Sequence, residues 1–328
     1  MTHDACPHII TPGEPGERLE DWVGGHRDTL EPLLLQHKAL LFRSFANRGG
    51  LDSIAGSFFK ERLTYTYRST PRTNLGQYVY TATEYPCQLS IPQHCENAYQ
   101  RTWPMKLLFH CVQPAVRGGQ TPLADMVQVT RAIDPQVQEK FRRKGVKYVR
   151  NYRAGVDLPW EEVFGSNSKE EVEMFCEEHG LTWEWLENGL RTTQVCQAFA
   201  THPRTGETVW FNQAHLFHLS ALRPEERKMM LFFFKEEGLP RNAYYGDGSP
   251  IEEEVLTHVR AAFEANRIRF DWHRDDVLLL DNMLVSHGRD PYEGNRKVLV
   301  CMAEAHSAAE AGSRRAATGA GELVKLHV

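Results

Sequence analysis

Ile91-Pro92-Gln93-His94-Cys95-Glu96 and, far downstream, Val277-Leu278-Leu279-Leu280-Asp281-Asn282-Met283-Leu284-Val285-Ser286-His287-Gly288-Arg289 are the stretches from which the fold is read. A His-x-Glu on an extended segment turns both side chains to one face, because strand side chains alternate. The run Val277 to Leu280 reads as a buried strand, and His287 follows it. Two imidazoles and one carboxylate are the set that holds non-haem Fe(II) with three positions left open. For residues so distant in sequence to share one ion, a late strand must return beside an early one. A closed or sandwiched β fold does this. A bare His-x-Glu is usually a surface accident, so the pair gains weight only from its surroundings.

The bulk composition suits one enzyme domain. The chain has 328 residues, 41% apolar and 25% charged, with a net charge of −5, ordinary for a globular protein of this length. The negative balance, with no block of basic residues, argues against a nucleic-acid partner. No apolar run approaches the roughly 18 residues of a membrane span, and the first residues lack a signal-peptide pattern. Seven cysteines are scattered with no C-x-x-C pair, which suits reduced thiols and a cytoplasmic location. Residues 17–43 read as helix then strand, and 74–126 as strand-rich. Residues 127–266 carry charged helical patterns such as PQVQEKFRRKG and RPEERKMMLFFFKEEG. Within that stretch Thr193 to Asn212 reads as a β-hairpin turning at His202–Gly206. Residues 267–302 return to strand, and 307–328 form an Ala/Gly-rich tail expected to be flexible.

The segment around the first pair, YVYTATEYPCQLSIPQHCENAYQRTWPMKLLFHCVQPAVRGGQTPLAD (Tyr78 to Asp125), adds an aromatic-rich strand and then Gly118-Gly119-Gln120-Thr121-Pro122. Downstream, Arg296 follows His287 within HGRDPYEGNR. Together these resemble the TauD/TfdA family of Fe(II)/2-oxoglutarate dioxygenases, within it the branch of clavaminate synthase and the syringomycin-pathway amino-acid hydroxylase. The likeness runs from about His37 to Met302. It implies an α+β chain with a distorted double-stranded β-helix, or jelly roll, and flanking helices. Residues 1–306 would form one domain, its β halves at about 37–126 and 267–302 separated by a mostly helical insert, 127–266.

The resemblance also assigns roles. His94, Glu96 and His287 would hold Fe(II), and 2-oxoglutarate would chelate the metal beside O2. Arg296 would take the distal carboxylate of 2-oxoglutarate bidentately, with Thr121 supplying a hydroxyl. Arg72, Asn212 and Arg289 would stand near the substrate, and Arg289 competes with Arg296 for the cosubstrate role. In halogenating relatives a small residue replaces the carboxylate, so Glu96 argues for oxygenation. Val300 occupies the position where many relatives carry a second arginine for an anionic substrate, which speaks against a taurine-like substrate. The implied reaction is hydroxylation at Cβ of an amino acid, free or tethered to a carrier protein, in peptide natural-product assembly. Desaturation or epoxidation would use the same ligands. Two rival classes are a zinc hydrolase on the same triad and a non-catalytic binding scaffold. His215 and His218 could ligate zinc from a helix but lack further ligands nearby, so core or pocket roles fit better. Tyr99 and Trp103 read as core or as a wall over the metal, and His110 and Cys111 as strand packing.

Overall fold

In the computed structural model, which describes residues 6–307 apart from 48, 66, 68–72, 74, 77, 83 and 84, parity along the strand Val277–Asp281 sorts the core. Val277 and Leu279 pack with Leu40, Phe42, Leu108 and Cys301 beneath Leu19, Trp22, Leu34 and Ile54 of the N-terminal helices. Leu278 and Leu280 face the other way, among Leu41, Leu107, Phe109 and Val300. Both faces of this strand are therefore buried, which is why it reads as an unbroken apolar run. Each such leucine is worth about 1.5–3 kcal/mol relative to exposure, and the strand fixes the turn that follows it.

That strand lies inside a seven-stranded sheet ordered His8–Ile10, Ala39–Phe42, Val277–Asp281, Thr102–Gln113, Lys297–Ser307 and Arg62–Leu63, with Tyr80–Thr81 also paired to Lys297–Ser307. A three-stranded sheet places Val285–Arg289 between Ile91–His94 and Leu123–Asp125. Leu123 and Val285 share the core of Leu278 and Leu280, so the small sheet packs over the inner face of the large one. Ser307 closes the long strand Lys297–Ser307 and is not the start of a tail. The rest of that expected tail, and Arg72, lie outside the described residues.

The middle of the chain departs from expectation. It carries helices, among them Pro135–Lys144, Lys169–His179, Pro224–Phe234 and Glu253–Ala265, but also a four-stranded antiparallel sheet. Its strands run in the order Thr182–Leu186, Gly189–Cys196, Val146–Tyr152 and Arg241–Tyr245. The hairpin is shorter than Thr193 to Asn212: only Phe199–Thr201 and Thr208–Trp210 pair. Residues 193–196 pair instead with Val146–Val149. Helical patterns dominated the sequence reading because the strands are rich in polar residues, yet Gly189–Cys196 alternates buried and half-exposed positions over most of its length. This sheet and its helices enclose a separate apolar core with Tyr148, Leu190, Phe141 and Trp210. Among the described residues no helix is long and apolar enough to cross a membrane.

Candidate metal centre

The turn after Val277–Asp281 brings the distant ligands together. Asp281 Oδ1 accepts the backbone N–H groups of Met283 and Leu284, each at 3.0 Å, which fixes the reversal into Val285–Arg289. His287 on that strand pairs directly with His94, the last residue of Ile91–His94. A close approach is needed here: a Cβ on Gly288 would sit 2.6 Å from the Ile91 carbonyl oxygen. The two imidazoles lie 4.6 Å apart between ring centroids.

Glu96 reaches the same point by a different route from the one its spacing suggests. The strand ends at His94, and Glu96 belongs to the following turn, where Asn97 has φ 57°. Two amides grip this turn. Asn282 Oδ1 accepts the Glu96 N–H at 2.7 Å, while its Nδ2 donates to the Glu96 carbonyl at 3.0 Å and the Pro104 carbonyl at 2.8 Å. Gln213 Nε2 donates to the Cys95 carbonyl at 2.7 Å.

One ligand atom each from His94, Glu96 and His287 lies within 4.8 Å of the others. The Nδ1–H of His94 donates to the Pro92 carbonyl at 2.9 Å, which fixes the tautomer and leaves Nε2 as a metal donor. Tyr65 donates its hydroxyl to Glu96 Oε1 at 2.8 Å. The other oxygen, Oε2, is 3.7 Å from His287 Nε2, too far for a hydrogen bond and suited to two donors that share an ion. Two imidazoles and one carboxylate, nearly buried at Glu96 and His287, are a donor set that Fe(II) fits.

A narrow cleft beside the triad is lined by His94, Thr121, His287, Arg289 and Arg296. Arg296 Nε donates to the Gly119 carbonyl at 2.9 Å and Nη2 to Thr121 Oγ1 at 3.4 Å. Gly119 makes this possible, since a Cβ there would lie 3.0 Å from Arg296 Cδ. Among the described residues no carboxylate pairs with Arg296. Burial, with Arg289 nearby, pushes its pKa down to about 10. Thr121 Oγ1 also accepts from Trp272 Nε1 at 2.9 Å. Both contacts use the oxygen as acceptor and leave the hydroxyl hydrogen to donate into the cleft.

The two arginines differ in kind. Arg289 spends its fork on the carbonyls of Tyr85, Pro86 and Leu89, at 2.8, 2.7 and 2.7 Å. It ties that loop to the strand of His287 and keeps only its Nε–H and one Nη1–H outside these contacts. Asn212, expected beside the substrate, is likewise committed: Nδ2 donates to the Ala198 carbonyl at 2.9 Å and Oδ1 accepts the Ala214 N–H at 3.0 Å. Its neighbour Gln213 lines a cavity of about 560 Å³ that also reaches His94 and Glu96. His218 and Tyr99 line this cavity too. His215 is stacked on Phe263 and Trp103 packs against Phe211, both as core. Tyr65, Gln213, Trp272 and Asn282 were not singled out from sequence. Asn282 left a signal, a polar Asp-Asn pair between two apolar runs, which marks a tight turn.

Residues 7–302 match the family model of the taurine catabolism dioxygenases, the TauD, TfdA family. The dapdiamide synthesis protein DdaC of Enterobacter agglomerans is 40% identical over 302 residues, covering 90% of this chain and 91% of that protein. A clavaminate synthase-like protein of Arabidopsis thaliana is 29% identical over 287 residues, 83% of each chain. The crystal structure of PvcB from Pseudomonas aeruginosa superposes with a TM-score of 0.52 at 17% identity, covering 90% of this chain and 84% of that one. That last likeness is one of fold.

Proposed function

From the premise that this chain belongs to the TauD, TfdA family of dioxygenases, we propose that His94, Glu96 and His287 hold Fe(II) while Arg296 and Thr121 hold the distal carboxylate of 2-oxoglutarate. The protein is an iron- and 2-oxoglutarate-dependent oxygenase. The observation that carries the residue assignment is Arg296, a half-buried guanidinium with no carboxylate partner among the described residues, in the cleft that His94 and His287 also line. A planar fork meets a carboxylate with two charge-assisted bonds, and the Thr121 hydroxyl hydrogen adds a third. We read Arg289 as a brace for the loop around Tyr85 rather than a ligand group. The stacking of the three-stranded sheet on the seven-stranded one across a shared core supports a distorted jelly roll as the frame.

Bound iron, with 2-oxoglutarate and O2, supplies the oxidant that attacks a substrate C–H bond. The chain's own part is placement and exclusion of water. Asn282 and Gln213 hold the His94–Glu96 backbone, Tyr65 holds one Glu96 oxygen, and apolar side chains such as Phe217 and Leu216 line the larger cavity that His94 and Glu96 also line. The relationship to a dapdiamide synthesis protein supports an amino-acid-derived small molecule in peptide natural-product biosynthesis as substrate. Hydroxylation at Cβ is the outcome we propose, with desaturation or epoxidation open to the same ligands. Seven free thiols suit a cytoplasmic setting. The zinc-hydrolase reading leaves Arg296 and Thr121 without a role. Succinate formed from 2-oxoglutarate in the presence of Fe(II), and lost in Arg296→Ala, tests the assignment; hydrolysis supported by Zn(II) alone would reverse it.

A further inference from the structure

The cavity that reaches His94 and Glu96 is lined by apolar side chains, among them Leu216, Phe217 and Leu239, but two charged pairs interrupt it. Arg223 and Glu226 pair within one helical turn at the exposed rim. Arg241 and Asp157 come from different elements. Arg241 opens the strand Arg241–Tyr245, and Asp157 precedes the helix Trp160–Phe164. Their side chains are 35% and 13% exposed and meet only through Nη2 and Oδ2 at 3.4 Å. That single contact is at the outer edge of a hydrogen bond, and the bidentate fork is unused. Asp157 Oδ1 accepts the Leu158 N–H at 2.8 Å. Among the described residues the Arg241 guanidinium has no other hydrogen-bond partner, while Phe217 stands under it at 5.7 Å. A cation with spare donors and a carboxylate thus stand side by side on the wall of the cavity that ends at the metal ligands.

We propose that Arg241 receives the free α-carboxylate and Asp157 the free α-ammonium of an amino-acid-derived substrate, which therefore enters untethered. The inference rests on the oxygenase reading of the same cavity. Adjacent opposite charges match a zwitterion, and the loose contact between them can be exchanged for two better ones at little cost. An aminoacyl group on a carrier has lost its carboxylate charge to the thioester and would leave Arg241 facing a neutral group. The volume of about 560 Å³ lies in the range of pockets that enclose a small molecule. The apolar walls leave room for a side chain that points toward His94 and Glu96.

The test measures succinate formed by the Fe(II)-loaded wild-type protein from 2-oxoglutarate. The probes are the L-amino acids and their dipeptides with leucine, each as zwitterion, carboxamide, N-acetyl derivative and N-acetylcysteamine thioester. At least one zwitterion should stimulate turnover about tenfold or more over its three derivatives. Arg241→Gln should raise the KM for that zwitterion by roughly 30-fold or more, the lower end for an uncoupled buried charge pair, and erase the preference over the carboxamide. Asp157→Asn should erase the preference over the N-acetyl form, and Arg241→Lys should recover part of the loss. Equal stimulation by thioester or carboxamide, or none by any zwitterion, overturns the proposal; so does a drop in melting temperature in both variants with preferences intact, which would make the pair a structural brace. The probe comparison needs no variant, so misfolding cannot obscure it. Absence of 2-oxoglutarate-dependent succinate in the wild-type protein would strike at the oxygenase reading instead.

Discussion

Replacing Asn282 should damage the metal centre although Asn282 touches no metal. Its side chain is fully buried and makes three hydrogen bonds of 2.7–3.0 Å to the Glu96 N–H, the Glu96 carbonyl and the Pro104 carbonyl. Asn282→Ala leaves those three groups without partners, at about 1–3 kcal/mol each. They share one site and do not add independently, and a water entering the vacated space would restore some of the bonding. A total of about 3–6 kcal/mol is therefore expected, against the roughly 5–15 kcal/mol that holds a typical domain folded. Asn282→Asp keeps the shape and the acceptor but turns a donor pair into a carboxylate oxygen facing two carbonyls, so it should be no better. Urea denaturation followed by circular dichroism reads the stability loss. Competition with a chelator for Mn(II) or Fe(II) should show binding about 10- to 100-fold weaker, as for other groups that orient ligands. Wild-type metal affinity in Asn282→Asp, or stability within about 0.5 kcal/mol of wild type in both variants, would refute the clamp.

Four further outcomes follow from the site. Arg296→Ala should raise the KM for 2-oxoglutarate about 30- to several-thousand-fold with iron binding preserved, and Arg296→Lys should recover part; if Arg289→Ala does this instead, the two arginines have been exchanged. Glu96→Ala and His94→Ala should abolish iron binding, read by metal analysis after gel filtration, while circular dichroism stays that of the folded protein. Tyr65→Phe removes the bond to Glu96 Oε1 and should weaken metal binding by about tenfold without lowering the protein's helical content. Burial lowers the pKa of His215 from 6.5 to about 4, so between those values the unfolded chain binds a proton that the folded chain refuses. Stability should therefore fall as pH falls from about 6.5 toward 4, and His215→Phe should flatten that slope in urea titrations.

How much of this could be read from the chain depended on whether chemistry or geometry set the residue. His94, Glu96 and His287 stand out because few residue types bind a metal, and Arg296 because a carboxylate cosubstrate needs a fixed cation. The polar residues that position them do not stand out. Asn282 meets Glu96 and Gln213 meets Cys95 across more than a hundred residues of chain, contacts that no local pattern records. Asn212 and Arg289 were candidates for substrate contact on their sequence positions, yet neighbouring backbone carbonyls use their donors. The sheet in the middle segment was missed for a different reason. Val146–Tyr152 carries a half-exposed Lys147 and a buried Arg150, and Thr182–Leu186 exposes Glu184; such charges blur the alternation, and the charged helices on either side outweighed it.

The order of strands in the large sheet has a consequence for how the protein is made. Thr102–Gln113 is flanked by Val277–Asp281 and Lys297–Ser307, both drawn from the last part of the chain to be synthesised. While the ribosome is adding the intervening residues, at about 5–20 per second, the longest strand of the sheet waits with both edges unpaired, a template for association with other nascent chains. If His94, Glu96 and His287 hold the iron as proposed, the same delay keeps the first two from meeting the third, and the centre is incomplete before His287 has emerged and paired. On that proposal metal capture is confined to chains that have nearly finished folding, and a translation arrest anywhere before Val277 yields a product with an open sheet and without His287.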